Sequence, residues 1–230
     1  MINSQFFFHR ELKFRSEKIH RNLHGVEVSF FVNYFAPYLI TELLIDYLRA
    51  QFKKDSKRIN IIASGTNGIF VDQYKEMKPY YRDLRLDDLG FIDQPTGYNG
   101  YAAYVNSKLC LTYWMRALAI AEKSNGIDTL LILPLIVTNT GLYNNQKTPF
   151  LKWALELKST VKPIKEKKHK YPEVVCRTLL EDISGESGKM RSHKNPYMQI
   201  QDVDPDFELT QEIIMKNTDR VIQKILKDIL

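Results

Sequence analysis

The chain has 230 residues, of which 44% are hydrophobic and 26% are charged, and its formal net charge is +6. This size and composition fit a single soluble globular domain, residues 1–230, with a substantial hydrophobic core. The 2 cysteines, Cys110 and Cys176, exclude a disulfide framework and give no metal-ligand spacing. We therefore expect no metal site and a reducing, cytoplasmic location.

The basic residues are concentrated between Lys162 and Lys170. Such a run could contact phosphates, but no stacking aromatic residues are interleaved with it and no nucleic-acid-binding motif accompanies it. We interpret it as a solvated surface and expect no nucleic acid partner.

The longest apolar segment, from Val28 to Leu48, is interrupted by polar residues and a proline. That pattern is wrong for a transmembrane span and typical of a helix buried in protein. The N-terminal apolar run is too short for a secretory signal. Apolar residues at three- and four-residue spacing predict a helix over about 30–50, with Asn33 near its start. The amide of Asn33 could cap or bridge backbone groups or take part in catalysis, and the pattern does not separate these roles.

A buried strand is predicted from Arg58 to Ala63, followed by a loop of small residues that begins at Ser64. Ligands in open α/β sheets lie beyond the carboxyl ends of the strands, so Ser64 is a candidate site residue. A serine at a strand end is also a common turn former. The polar and aromatic stretch that follows, including Leu86–Leu89, is expected to fold over the mouth of the site.

The stretch from Tyr98 to Lys108 is where the chemistry of this chain is expected. No glycine or proline interrupts the segment 101–122, and its composition predicts a helix. Tyr104 and Lys108 are four residues apart, so they share one helical face. An ammonium beside a phenol lowers the pKa of the phenol, which can then exchange a proton with a hydroxyl or carbonyl oxygen. On spacing alone, a surface tyrosine–lysine pair is the alternative.

A second apolar strand, Thr129–Leu133, ends at Pro134. After about Thr148 the pattern predicts helices and loops, and a final amphipathic helix from about 210 to 230. The alternation of strands and helices predicts an α/β fold with a three-layer, Rossmann-like parallel sheet, flanking helices and right-handed crossovers.

Four motifs in this order resemble the short-chain dehydrogenase/reductase family. They are Asn33 in Phe-Val-Asn-Tyr-Phe-Ala-Pro, Ser64 in Ile-Ile-Ala-Ser, Tyr104 with Lys108, and the strand that ends at Pro134. The long interval between Ser64 and Tyr104 and the segment Tyr-Asn-Gly-Tyr-Ala-Ala-Tyr resemble its retinol-dehydrogenase-like branch. The motifs that support the resemblance lie between about residue 1 and residue 141.

The resemblance implies an NAD(P)-dependent oxidoreductase that acts on an alcohol/carbonyl pair, with a small-molecule substrate of lipophilic character. Tyr104 would be the general acid/base, and Lys108 would lower the pKa of the phenol and hold the nicotinamide ribose. Ser64 would polarise the substrate oxygen, and Asn33 would hold a water that relays protons to solvent. By the same resemblance, the residues near the nicotinamide carboxamide would be Pro134, Thr138 and Thr140.

Two features depart from the family pattern. Leu135 follows Pro134 where the family usually has glycine, which adds a side chain near the cofactor. The Gly-x-x-x-Gly-x-Gly turn that seats the pyrophosphate on a helix N-terminus is not present in this sequence, and residues 1–4 resemble the end of the family's fourth strand. We therefore expect a sheet that is truncated before its fourth strand. We also expect weak binding of NAD or NADP by this chain alone, and correspondingly little or no dehydrogenase activity.

Such a truncated sheet would have an open apolar edge, which favours pairing with another chain and so a homo-oligomer. The alternative function is therefore that of a truncated, non-catalytic paralogue that acts as a binding or interaction module. The two hypotheses differ in whether a cofactor binds. The sequence does not determine the substrate or the choice between NAD and NADP.

Overall fold

The computed structural model describes residues 19–65, 86, 88–90, 98, 100–133, 175–191 and 206–229. The first helix, α1, joins an α-helical turn, Val28–Phe30, a π-helical segment, Phe31–Phe35, and an α-helix, Ala36–Asp55. The elements that follow are β1 (Ile59–Ser64), α2 (Gly100–Glu122), β2 (Ile127–Ile132), α3 (175–180), β3 (Lys189–Arg191) and α4 (Phe207–Ile229).

The three strands form one sheet in the order β1-β2-β3, and both pairs are parallel. The register pairs Ile59 with Ile127 and Ser64 with Ile132, so the carboxyl ends of β1 and β2 lie side by side. The predicted α/β fold with a parallel sheet and flanking helices is confirmed. Strand β3 was not predicted, because three residues are too few to show the alternating pattern of a strand.

Hydrogen bonds to the strands define the two faces of the sheet. The hydroxyl of Thr129 donates to the Met115 carbonyl of α2 at 2.7 Å, so alternate residues of β2 face that helix. The amide of Asn60 donates to the Glu181 carbonyl at 3.0 Å, just after α3. Asn60 pairs with Asp128, which lies on the face of β2 opposite Thr129. The sheet is therefore the middle layer of three, as the sequence predicts.

The main hydrophobic core lies between the sheet and the helices α1, α2 and α4. Two hydroxyl contacts attach α4 to α1: Tyr34 shares a hydrogen bond of 2.6 Å with Thr218, and Tyr38 donates to Asp219 at 3.3 Å. By length and composition α1 could cross a membrane, and 39% of its most apolar stretch is buried within the protein. Some of its large apolar side chains are exposed, among them Leu43, so the burial expected for this helix is only partial.

Two charged pairs lie away from the carboxyl end of the sheet, one between helices α1 and α2 and one between strands β1 and β2. The guanidinium of Arg49 donates to both carboxylate oxygens of Glu122, and that of Arg58 to both oxygens of Asp128. Bidentate pairs of this type fix orientation as well as distance. They hold the end of α1 against the end of α2, and the start of β1 against the start of β2.

Strand β1 differs from β2 in its exposure. All residues of β2 are buried, whereas all residues of β1 are half-buried although most are apolar. Among the residues that the structure describes, no strand pairs with the other edge of β1. Within the described part of the fold, the backbone of this edge is therefore available for pairing with another strand.

A glycine connects α2 to β2, and its replacement tests this junction. Gly126 has φ +66°, and a β-carbon there would overlap the ring of Phe52 from α1. We expect Gly126→Ala to lower the free energy of unfolding by about 2–5 kcal/mol, because left-handed strain and overpacking add together. The measurement is urea denaturation of the variant and the wild type.

Gly25→Ala is the matched control for this substitution. Gly25 has φ +76°, but nothing lies within 4 Å of a β-carbon placed there. Its substitution should cost only the backbone strain, about 1–2 kcal/mol. Equal losses for the two variants would contradict the close packing of Phe52 over Gly126.

Candidate active site

Lys108 joins helix α2 to the end of strand β1. Its side chain is buried, with 3% exposure, and its ammonium nitrogen donates to the Ser64 carbonyl at 2.9 Å. Tyr104 lies one turn earlier on the same helix and is half-buried. Tyr104 and Lys108 therefore lie one helical turn apart on α2, and the Lys108 ammonium reaches the carboxyl end of β1.

Burial changes the ionisation of Lys108. Loss of hydration lowers the pKa of its ammonium from 10.5 to about 8. An amine that titrates this close to neutrality can give up or take back a proton under physiological conditions. The surface-pair alternative for Tyr104 and Lys108 does not fit a lysine that is buried to this extent.

Asn33 contacts helix α2 through Ser107, which is not among the site residues predicted from the sequence. The amide nitrogen of Asn33 donates to the Ser107 hydroxyl at 3.1 Å, and that hydroxyl donates to the Tyr104 carbonyl at 2.7 Å. A serine within a helix often bonds the carbonyl three or four residues earlier, which holds its oxygen in a fixed direction. Ser107 precedes Lys108 directly, and this position was the signal that could have identified it.

The helical segment around Asn33 is π-helical, and Pro37 explains why. Asn33 lies in the middle of the segment Phe31–Phe35, where the amide of Ala36 donates to the Phe31 carbonyl, five residues back. Pro37 has no N–H to offer the Asn33 carbonyl four residues before it, and its ring would crowd that carbonyl. Widening the helix by one residue avoids the clash. π-helical turns of this kind are frequent at functional sites.

Ser64 enters the site mainly through its backbone. Its carbonyl accepts from Lys108, and its own hydroxyl donates to the Gly65 carbonyl at a long 3.5 Å. Gly65 is buried, and a β-carbon there would lie 2.8 Å from the side chain of Leu133. A side chain at position 65 would therefore require the side chain of Leu133 to shift.

Other predicted site residues are placed differently or lie outside the described residues. In this part of the chain the described residues stop at Leu133, so Pro134, Thr138 and Thr140 lie outside them. Most of the stretch that contains Leu86–Leu89, which is expected to cover the mouth of the site, also lies outside the described residues, and within it Leu89 is buried in the hydrophobic core. No group of three or more potential metal ligands occurs among the described residues.

The described fold is a Rossmann-like α/β arrangement in which a buried lysine of α2 bonds the carboxyl end of β1, with a tyrosine one helical turn away along α2. No protein-family model matches the chain. Over 125 residues it is 31% identical to a human protein described as polyprenol dehydrogenase, and the match covers 53% of this chain and 33% of that protein. The chain thus matches about a third of the length of this relative. The similarity supports a resemblance to oxidoreductases of the short-chain dehydrogenase/reductase type.

The lowered pKa of Lys108 has a consequence for stability. Between about pH 8 and 10.5 the unfolded chain holds a proton on Lys108 that the folded chain has released, so stability rises with pH across this interval. The expected gain is roughly 3 kcal/mol, from 1.36 kcal/mol for each unit of pKa.

Urea denaturation of the wild type and of Lys108→Met at several pH values measures this gain. The difference between the two proteins should change by the expected amount as the pH increases, in favour of the wild type. A difference that stays constant over the whole interval would show that Lys108 keeps an ordinary pKa in the folded protein.

Proposed function

We propose that this chain carries the proton-handling part of a short-chain dehydrogenase/reductase and acts on an alcohol/carbonyl pair with NAD or NADP. The observation that carries the proposal is the buried ammonium of Lys108, bonded to the Ser64 carbonyl and one helical turn from Tyr104. The similarity to a human polyprenol dehydrogenase supports it independently.

Tyr104 is proposed to be the general acid/base. In the direction of reduction it gives its phenolic proton to the substrate oxygen, and in the direction of oxidation it takes that proton back. The Ser64 hydroxyl would donate to the same oxygen and stabilise the charge that develops on it. The nicotinamide ring, when bound, exchanges a hydride with the substrate carbon.

Lys108 and Asn33 are proposed to resupply the proton. An ammonium with a pKa of about 8 exchanges protons readily near neutral pH and lies one turn from the phenol. Asn33 is held beside this segment through Ser107 and Tyr104, and it would hold the water that links Lys108 to solvent. Catalysis by this route depends on the contact between α1 and α2 as much as on Tyr104 itself.

The described residues fit one end of a nicotinamide cofactor. Lys108 is a nitrogen donor at the carboxyl end of the sheet, which suits the hydroxyls of a nicotinamide ribose, and Tyr104 lies beside it. Pro134, Thr138 and Thr140 would approach the carboxamide. The Gly-x-x-x-Gly-x-Gly turn that receives a pyrophosphate is not in this sequence, so the 230-residue chain would hold the whole dinucleotide weakly.

The proposed substrate is a lipophilic alcohol or the matching aldehyde or ketone. The relative's name states that it acts on polyprenol, an apolar long-chain alcohol. For this chain we propose the same broad class, within the retinol-dehydrogenase-like branch, and a location in the cytoplasm.

A second function, as an interaction module, is favoured by one observation. The half-buried apolar strand β1 has no partner on its other edge among the described residues, and such an edge can accept a strand from another chain, including a second copy. This function requires neither Tyr104 nor a cofactor, so it predicts that substitution of Tyr104 has no effect on the protein's role.

The catalytic proposal predicts a specific loss in Tyr104→Phe. Alcohol oxidation at saturating cofactor should fall by about 10²–10⁴-fold, because the variant has no proton to exchange, while the free energy of unfolding changes little. The assay is the formation of reduced cofactor with a long-chain prenyl alcohol. Tyr113→Phe, on the same helix and fully buried, is the control and should keep its activity. Wild-type activity in Tyr104→Phe would assign the proton transfer to another residue.

Cofactor binding gives a further prediction. If only the nicotinamide end is recognised, reduced nicotinamide mononucleotide and NADH should bind this chain with similar, weak affinity, because the remote adenosine adds little. Calorimetric titration with each compound measures this. Micromolar affinity for NADH alone would show that another segment of the chain recognises the pyrophosphate.

A further inference from the structure

Glu27 is a buried carboxyl group at the start of helix α1. It is 2% exposed, and its side chain accepts from the backbone N–H of Phe30 at 2.9 Å, which caps the helix. Its own backbone N–H donates to the Gly90 carbonyl at 2.9 Å. Burial raises the pKa of Glu27, while the hydrogen bonds it accepts act in the opposite direction. A buried carboxyl is costly unless it is hydrogen-bonded, and this one holds several segments together.

The second carboxyl oxygen of Glu27 contacts the segment that leads into helix α2. The hydroxyl of Tyr98 donates to it at 3.0 Å, and Tyr98 itself is 9% exposed. Gly100, the first residue of α2, lies beside this contact, since a β-carbon there would be 3.3 Å from the Tyr98 hydroxyl. The carboxyl group therefore binds the start of α1 and the start of α2 at the same time.

The two helices leave this contact towards the candidate active site. Asn33 follows Glu27 by less than two helical turns, and Tyr104 follows Tyr98 by a similar distance along the chain. Further along, a side-chain hydrogen bond from Asn33 to Ser107 joins the same two helices. The Glu27–Tyr98 bond thus forms one end of a pair of cross-links, and the active-site contact forms the other.

We propose that Glu27 and Tyr98 are a positioning pair that fixes α1 against α2, so that Asn33 meets Ser107 and Lys108 stays buried against Ser64. Neither residue is expected to touch substrate or cofactor. The value of this pair for catalysis rests on the proposed function, but its effect on the geometry does not. Without it, the first turns of α2 can move away from α1, and water reaches the Lys108 ammonium.

The test uses Tyr98→Phe and reads the ionisation of Lys108. The lysine signals are followed by carbon NMR of the lysine-labelled protein over a pH series, and Lys108 is assigned by its loss in Lys108→Arg. The wild type should titrate near pH 8, and Tyr98→Phe should titrate at higher pH, closer to the ordinary lysine value of 10.5. Glu27→Gln replaces one of the two acceptor oxygens by an NH2 group, so it can keep only one of the bonds from Phe30 and Tyr98, and its shift should be in the same direction and smaller.

Tyr38→Phe is the matched control. Tyr38 is 8% exposed and its hydroxyl also donates to a carboxylate, that of Asp219, but this hydrogen bond links α1 to α4 instead of α2. The ring, which packs against α2, is kept in phenylalanine. The variant should lose a comparable amount of stability in urea without moving the Lys108 titration. If Lys108 titrates alike in Tyr98→Phe, Tyr38→Phe and the wild type, the positioning role is refuted. Because the titration needs neither cofactor nor substrate, a protein without dehydrogenase activity still gives this result, so the two proposals fail separately.

Discussion

The arrangement of the site depends on the buried ammonium of Lys108. Removing a charged group from water is unfavourable unless it gains hydrogen bonds, and the Ser64 carbonyl supplies one at the end of β1. This single bond connects the helix that carries Tyr104 to the strand that carries Ser64. The end of β1 that accepts this bond is itself paired with the end of β2, Ser64 with Ile132. Burial of this ammonium costs folding free energy, and it also lowers the pKa of Lys108 to about 8, close enough to neutral pH for proton transfer.

The helices α1 and α2 form the second constraint. Their contact has a charged pair at one end, Arg49 with Glu122, and the carboxyl of Glu27 at the other. Between these lies the bond from Asn33 to Ser107, made possible by the π-helical segment that Pro37 imposes. The described residues of the candidate site therefore lie on helices and at the end of a strand, which holds their backbones in a fixed geometry.

The fold class could be predicted from the sequence because it depends on repeated patterns. The alternation of apolar strands and helices predicted the parallel sheet, and the four-residue spacing placed Tyr104 and Lys108 on one face. The π-helical segment, Ser107 and strand β3 were not predicted, since each depends on one or a few residues with no periodic signal. The burial of Glu27 could not be predicted at all, because its partner Tyr98 is distant in sequence and a glutamate is ordinarily exposed.

The most direct test of the central claim is whether this protein transfers hydride between a nicotinamide and carbon. The protein is incubated with a long-chain prenyl aldehyde and saturating NADH or NADPH that carries deuterium at the transferable position, and the product is analysed by mass spectrometry. The expected product is an alcohol with one deuterium on its carbinol carbon, because hydride comes from the cofactor and the proton on oxygen comes from Tyr104 and water. Unchanged aldehyde, or alcohol without deuterium, would contradict this claim.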